Sequence, residues 1–172
     1  MVGVIGDPLV AASYSAALRP DHIIVHLVGT PRPAPWKGAS FERVDLGSAR
    51  ELAAAVAQRP VAHIIYVSVA HPAPVMRAYT KARTKAEAIL WATGAPLTIL
   101  RPWYILGPGH RWPMALAPLY WMAERVPATR DGALRLGLVS LSQMVTALVQ
   151  AVEQAGPSTR VLDVAHIRAN AQ

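Results

Sequence analysis

Short runs of branched apolar residues, separated by longer amphipathic stretches, set the strongest limit on how this chain can fold. "HIIVHLV" (22–28), "AHIIYVSV" (62–69), "PLTILR" (96–101) and "RVLDVA" (160–165) place apolar side chains at successive positions. A strand with one wet face would alternate instead. Runs of this kind are buried on both faces, which requires helices above and below a parallel sheet. The intervals between them carry helical patterns, so the rhythm is that of an α/β protein.

Followed along the chain, the pattern predicts a strand at "VGVI" (2–5), a short helix at 7–18 and a strand at 22–28. A helix over 39–58 is expected to turn Leu46, Arg50, Ala53 and Ala57 toward the sheet, with Phe41 and Leu52 alongside. The strand at 62–69 leads to a helix from about Val75 that Gly94 ends. Beyond the 96–101 strand lie a turn-rich crossing (102–113), a helix at 114–125, an extended "LRLGLV" (134–139), a helix at 141–154 and the last strand. Ser140 and Gln143 have the spacing of a capping box, in which a hydroxyl and an amide each satisfy a free backbone N–H. No repeat or low-complexity linker interrupts this order, so residues 1–172 read as one domain. A chain of 172 residues can bury roughly 70% of its unfolded surface.

Composition narrows the function classes. Hydrophobic residues make up 53% and charged residues 16%, which excludes a disordered chain. The net charge of +7 comes from scattered residues, mostly arginine, whereas nucleic-acid binders cluster theirs. We therefore expect a solvated basic surface attractive to an anionic cofactor, and no nucleic-acid partner. The absence of cysteine excludes disulfide and thiolate chemistry and fits a reducing compartment, so the expected location is cytoplasmic. No run approaches the roughly 20 apolar residues of a membrane span. The six histidines lack metal-ligand spacing, so no metal site is expected. "RWPMALAPLYWMAER" (111–125) bunches Trp112, Leu116, Leu119, Tyr120 and Met122 as a core or pocket wall.

Four local features then converge: "HIIVHLVG", "YVSVA" ending in Ser68, Tyr79 eleven residues further on, and "LRPWYILGPG". In this order they resemble the atypical and extended branches of the short-chain dehydrogenase/reductase superfamily, including its nucleotide-sugar epimerase-like members. The resemblance implies a Rossmann-like doubly wound parallel sheet in three αβα layers. It also implies NAD- or NADP-dependent oxidoreductase, epimerase or dehydratase chemistry on a small-molecule substrate. By that matching, Ser68, Tyr79 and Arg83 are the catalytic candidates. Gly6, Asp7, Gly29, Thr30, Pro102 and Tyr104 join them around the cofactor, with Gly29 letting the backbone come close to it. Asp45 stands where the family carries a helix asparagine, and Arg83 where it carries lysine.

That last exchange has chemical consequences. A free phenol, with a pKa near 10, is a poor base at neutral pH. A cation one helical turn away favours the phenolate, and residues 79 and 83 share a helix face. Arginine supplies that charge and donates hydrogen bonds, yet it cannot titrate in the useful range and so cannot relay a proton. Lys81 and Lys85 are offset by two and six residues and point elsewhere.

The family also opens with a glycine-rich strand-turn-helix whose backbone amides hold pyrophosphate, and no such turn stands in this sequence. The expectation is an N-terminally incomplete sheet, short of one βαβ unit of upward of about 30 residues. Weak or absent dinucleotide binding follows, as does an exposed apolar edge along "HIIVHLV" that the missing unit or a second copy of the chain would cover. The alternative function is a catalytically silent nucleotide-binding or scaffold protein.

Overall fold

Branched and aromatic residues give the central strands their conformation, and burial gives them their neighbours. β2 (His63–Val67) and β3 (Leu97–Leu100) are buried along almost their whole length. They lie between β1 (Ile23–His26) and β6 (Arg160–Leu162) in a four-stranded sheet of order β1-β2-β3-β6. All three pairings are parallel, and His26, Tyr66, Ile99 and Val161 form one row across the sheet. This is a computed structural model, and it describes residues 3–73, 75–107, 122, 125, 126, 132 and 135–169. Most of the expected 114–125 helix, with the aromatic bunch around Trp112 and the Gly-Pro-Gly turn beyond Gly107, lies outside the described residues.

Side chains on successive strand positions point to opposite faces, and each face has its own helical layer. On one side Ile64, Tyr66, Leu97 and Ile99 pack with Phe41, Leu46, Ala49, Leu52, Val56, Ala82, Ala86 and Leu90. Those partners come from α1 (residues 38–58) and α2 (Arg77–Trp91). On the other, Ile65 and Leu100 pack with Met144, Ala147, Ala151, Val164 and Ile167, from α3 (Leu141–Glu153) and α4 (Val164–Ala169). The result is the expected three-layer αβα arrangement. β4 (Tyr104–Leu106) and β5 (Leu138–Ser140) form a separate parallel pair.

Two buried polar side chains of the sheet, His63 and Thr98, are matched to each other. The His63 ring accepts from the Thr98 hydroxyl at 2.8 Å through Nε2 and donates to the Gly156 carbonyl at 2.9 Å through Nδ1. A carbonyl can only accept, which fixes that tautomer. Gly94 adopts φ +71 past the end of α2, the left-handed stop its sequence position implied. At the other end, Met76 launches α2 from φ +57, an unusual backbone for a side chain of its size. Ser140 and Gln143 form the reciprocal capping box at the start of α3.

Several expectations are corrected. Residues 3–7 form no strand, because β1 is the sheet edge and a strand needs a neighbour to bond. The expected 7–18 helix is two short 3₁₀ turns, Ala11–Ser13 and Ser15–Ala17, broken where Tyr14 takes φ −136. On α1, Arg50 and Ala57 are exposed, and Leu46, Ala49, Leu52 and Val56 face the core. The last strand stops at Leu162, since Asp163 accepts from the His166 amide at 3.0 Å and opens α4. The exposed edge agrees with the sequence: Ile23, Val25 and Leu27 are 37%, 40% and 62% accessible.

Replacing the cap with Ser140→Ala removes an acceptor for the Gln143 amide. We expect a loss of about 1 kcal/mol of stability, read as a lowered urea midpoint with unchanged slope.

Candidate functional site

The site is built where β1 and β2 end. Ligands of open α/β sheets bind outside the carboxyl ends of the strands, and there the structure concentrates charge. Arg83, on the inward face of α2, extends across the top of both strands. Its Nη1 donates to the Val67 carbonyl at 2.9 Å and to the Tyr66 hydroxyl at 3.1 Å. Its Nη2 reaches the Val28 carbonyl at 3.4 Å and lies 2.7 Å from Asp45 Oδ1. The side chains of both members of this ion pair are almost fully buried, at 7% and 0% exposure. Only Nε of Arg83 is left without a partner.

Asp45 reaches this position through a local irregularity in α1. Gly38–Ser40 and Gly47–Gln58 are ordinary α-helix, but Phe41–Leu46 between them is a π turn. There the Gly47 amide bonds to the Glu42 carbonyl, five residues back. An extra residue per turn resets which side chains face inward, and such turns recur at functional sites. Phe41, Asp45 and Leu46 are all buried here. The other Asp45 oxygen accepts from the Thr30 amide at 3.1 Å and from the Thr30 hydroxyl at 2.5 Å.

The tyrosines complete the cluster. The Arg83 guanidinium carbon lies 5.4 Å from the Tyr79 ring centre and 5.6 Å from that of Tyr66, within cation–π range of both. Phe41 packs against Tyr79 with ring centres 5.0 Å apart. Burial raises the Tyr79 phenol above its usual range; the Arg83 charge opposes this and Asp45 reinforces it. Tyr66 is pushed up to about 12, again chiefly by burial. His26 lies 5.4 Å from Tyr66 and neither ring nitrogen has a partner. Burial first, and Arg83 second, lower its pKa to about 4.

A second charged cluster sits one helical turn further along α2. Glu87 is held by Arg101 through Nε at 3.0 Å and Nη2 at 2.5 Å, and by His71 at 3.2 Å. Burial pushes Glu87 upward, but hydrogen bonds from His71 and Arg101, with the Ser68 hydroxyl nearby, bring it below the ordinary range. Ser68 is buried; its amide donates to the Leu100 carbonyl at 2.7 Å, and its hydroxyl makes no aligned hydrogen bond.

The predicted residues fall into three groups. Gly29, Thr30, Tyr79 and Arg83 converge on one cluster, and Ser68 follows Val67, to whose carbonyl Arg83 bonds. Gly6 lines the same cleft as His26 and Val28, while Asp7 turns to local bonds with Leu9 and Ser13. Pro102 and Tyr104 follow β3, tied in by the Ala70 amide on the Pro102 carbonyl at 2.8 Å. Sequence reasoning missed Tyr66, His26, His71, Glu87 and Arg101. The spacing of Glu87 from Arg83 signalled a shared face, yet Arg83 pairs with Asp45 instead.

These residues fit the ribose and nicotinamide end of a dinucleotide in part. Ser68 is buried directly after β2, and Tyr79 is partly buried beside Arg83. Arg83, however, has its terminal nitrogens engaged within the protein. A Cβ on Gly29 would also collide with that guanidinium, so the missing side chain makes room for Arg83. Among the described residues no group of side chains is arranged for a metal ion, and no helix is long and apolar enough to cross a membrane.

With this geometry in view, likeness to solved structures is informative. MoeE5 in complex with UDP-glucuronic acid and NAD superposes with a TM-score of 0.65 at 18% identity, over 87% of this chain and 58% of that one. WbmH of Bordetella bronchiseptica in complex with NAD⁺ gives 0.64 at 15% identity, over 92% and 58%. UDP-N-acetylglucosamine 4-epimerase of Bacillus cereus gives 0.64 at 14%, over 92% and 64%. The chain shares the fold of these solved structures, a Rossmann-like parallel sheet between helical layers. This chain spans a little over half the length of the first two structures. No family model and no curated protein matches the sequence.

Two outcomes follow from the cluster. Gly29→Ala sets a methyl group against a guanidinium pinned on several sides, and we expect a loss of about 1–3 kcal/mol in chemical denaturation. His26 gives a pH signature. Its folded pKa lies below the unfolded value of 6.5, so its neutral form stabilises the fold fully above that pH. The contribution is lost as pH falls toward about 4, at a slope of up to about 1.4 kcal/mol per pH unit. Urea midpoints across this window should fall in the native protein and flatten in His26→Leu.

Proposed function

We propose that this chain is the sheet-bearing part of a NAD- or NADP-linked protein of the atypical or extended short-chain dehydrogenase type. Its reaction is epimerase, dehydratase or oxidoreductase chemistry on a small molecule, for which a nucleotide sugar is the leading class. The observation that supports this is Tyr79 set against Arg83 at the carboxyl ends of β1 and β2, with Ser68 directly after β2, on a fold shared with MoeE5 structures holding NAD and a UDP-sugar. A bound dinucleotide supplies the hydride chemistry. The chain's own residues supply the rest: Ser68 offers a hydrogen bond to a substrate oxygen, and Tyr79, held as a neutral phenol, serves as the acid or base. Gly6, Asp7, Gly29, Thr30, Pro102 and Tyr104 line the dinucleotide's path in this reading. Binding by the 172-residue chain alone is weak, for want of a glycine-rich phosphate turn. The cysteine-free composition fits a cytoplasmic setting.

A second reading, a catalytically silent nucleotide-binding or scaffold protein, is favoured by the engagement of Arg83 with Asp45. A guanidinium so held neither relays a proton nor reaches for a ribose. One experiment separates the two. The natural full-length protein is assayed for hydride transfer with NAD(P)⁺ and UDP-sugars, beside its Tyr79→Phe variant. The enzyme reading expects turnover that falls about 10²-fold or more in the variant. Equal turnover in both removes Tyr79 from the mechanism, and dinucleotide binding without turnover in either establishes the silent protein.

A further inference from the structure

We propose that Asp45 is a positioning residue of the site: it holds the Arg83 guanidinium under Gly29 and balances its charge, so that Tyr79 acts as a proton donor rather than a proton acceptor. The inference rests on the active-site placement of Tyr79 proposed above and concerns how its proton is controlled. Geometry carries it. Arg83 faces the Tyr79 and Tyr66 rings at nearly equal distance, 5.4 and 5.6 Å. By itself, a buried cation so placed would draw both phenols toward phenolate. Asp45 Oδ1 lies 2.7 Å from Nη2, and at that range in a buried setting it cancels most of the field the rings feel.

The titratable and charged groups facing Tyr79 are few. Arg83 comes from its own helix, Asp45 from α1 and Tyr66 from β2. His26 of β1 stands behind Tyr66 and is neutral over the physiological range. Among the described residues, Asp45 is the one charged group facing Tyr79 of opposite sign to Arg83. Two hydrogen bonds from Thr30 hold the carboxylate in place, and the π turn supplies its inward register. Phe41, one turn before Asp45, packs against the Tyr79 ring. The ring is partly buried, so water screens the internal pair only in part and the pair acts on the proton's affinity.

The test reads the Tyr79 phenol directly. Protein labelled with ¹³Cζ-tyrosine is titrated by NMR, with the Tyr79 signal assigned by its loss in Tyr79→Phe. In Asp45→Asn, the Arg83 charge is uncancelled, and Tyr79 should deprotonate about one pH unit or more below the native protein. A Tyr79 signal that stays phenolic to the same pH as in the native protein overturns the proposal. Because Asp45→Asn leaves a buried cation unpaired, the double variant Asp45→Asn with Arg83→Gln provides a second reading in which no charge is orphaned. If the pair is balanced in the native protein, Tyr79 in the double variant titrates within about half a unit of native. A clear rise there means that Arg83 acts on Tyr79 uncancelled, and the proposal fails. These titrations need no turnover, so they can fail while the Tyr79→Phe assay still identifies an enzyme, and the reverse.

Discussion

A buried arginine must be answered by a buried acid, and much of this structure follows from how that is arranged. Arg83 remains charged under all ordinary conditions, and the fold places it where two parallel strands end and leave their last carbonyls unbonded. The guanidinium meets the carbonyl of Val67, the last residue of β2, and that of Val28, two residues past β1, so it serves as a clasp between the segments leaving the two strands as well as a neighbour to Tyr79. Desolvating such a cation without a partner would cost several kcal/mol, and Asp45 removes that cost. Three segments are thereby locked together: the Tyr79 helix, the π turn of α1 and the Gly29-Thr30 loop. None of them holds the others through apolar packing alone.

The large features of the fold were legible because they depend on burial alone. Runs such as "HIIVHLV" and "AHIIYVSV" have no reason to exist outside a sheet covered on both sides, and the sheet follows. The capping box at Ser140 and the stop at Gly94 were readable for a different reason: each is a local arrangement closed within a few residues. What was not readable depends on long-range partners. "VGVI" has strand composition, yet a strand is defined by its neighbour, and β1 offers it none in this chain. The inward face of α1 was misread because the π turn inserts a residue ahead of it. No periodicity argument that assumes 3.6 residues per turn can anticipate that shift.

The site shows the same division. Spacing placed Ser68 at a strand end and Tyr79 and Arg83 on one helix face, and the structure sets Arg83 against the Tyr79 ring. Spacing did not identify the partner of Arg83. Glu87, four residues on, was the natural candidate from helix geometry, but it is taken by Arg101 and His71. Alternate turns of α2 thus carry charges of opposite sign to different destinations, Arg83 toward α1 and Glu87 toward the end of β3. Sequence spacing gives the face a residue occupies; the tertiary fold decides which charge waits there.

The exchange of lysine for arginine in such a site is therefore more than a loss of a proton relay. A lysine at position 83 could shed its proton when buried, and its single ammonium would need only modest compensation. Arginine has no such release, and its larger, planar head needs room as well as charge. Gly29 gives the room and Asp45 the charge. An asparagine at 45 would leave the cation uncompensated and could accept from only one of its two partners, Arg83 or the Thr30 amide, while a side chain at 29 would displace the head from the strand ends. The three identities are coupled through one small volume, so that any one of them changed alone is a strained solution. The phenol beside them stands in the field of that pair, with Arg83 pulling its pKa down and Asp45 pushing it up.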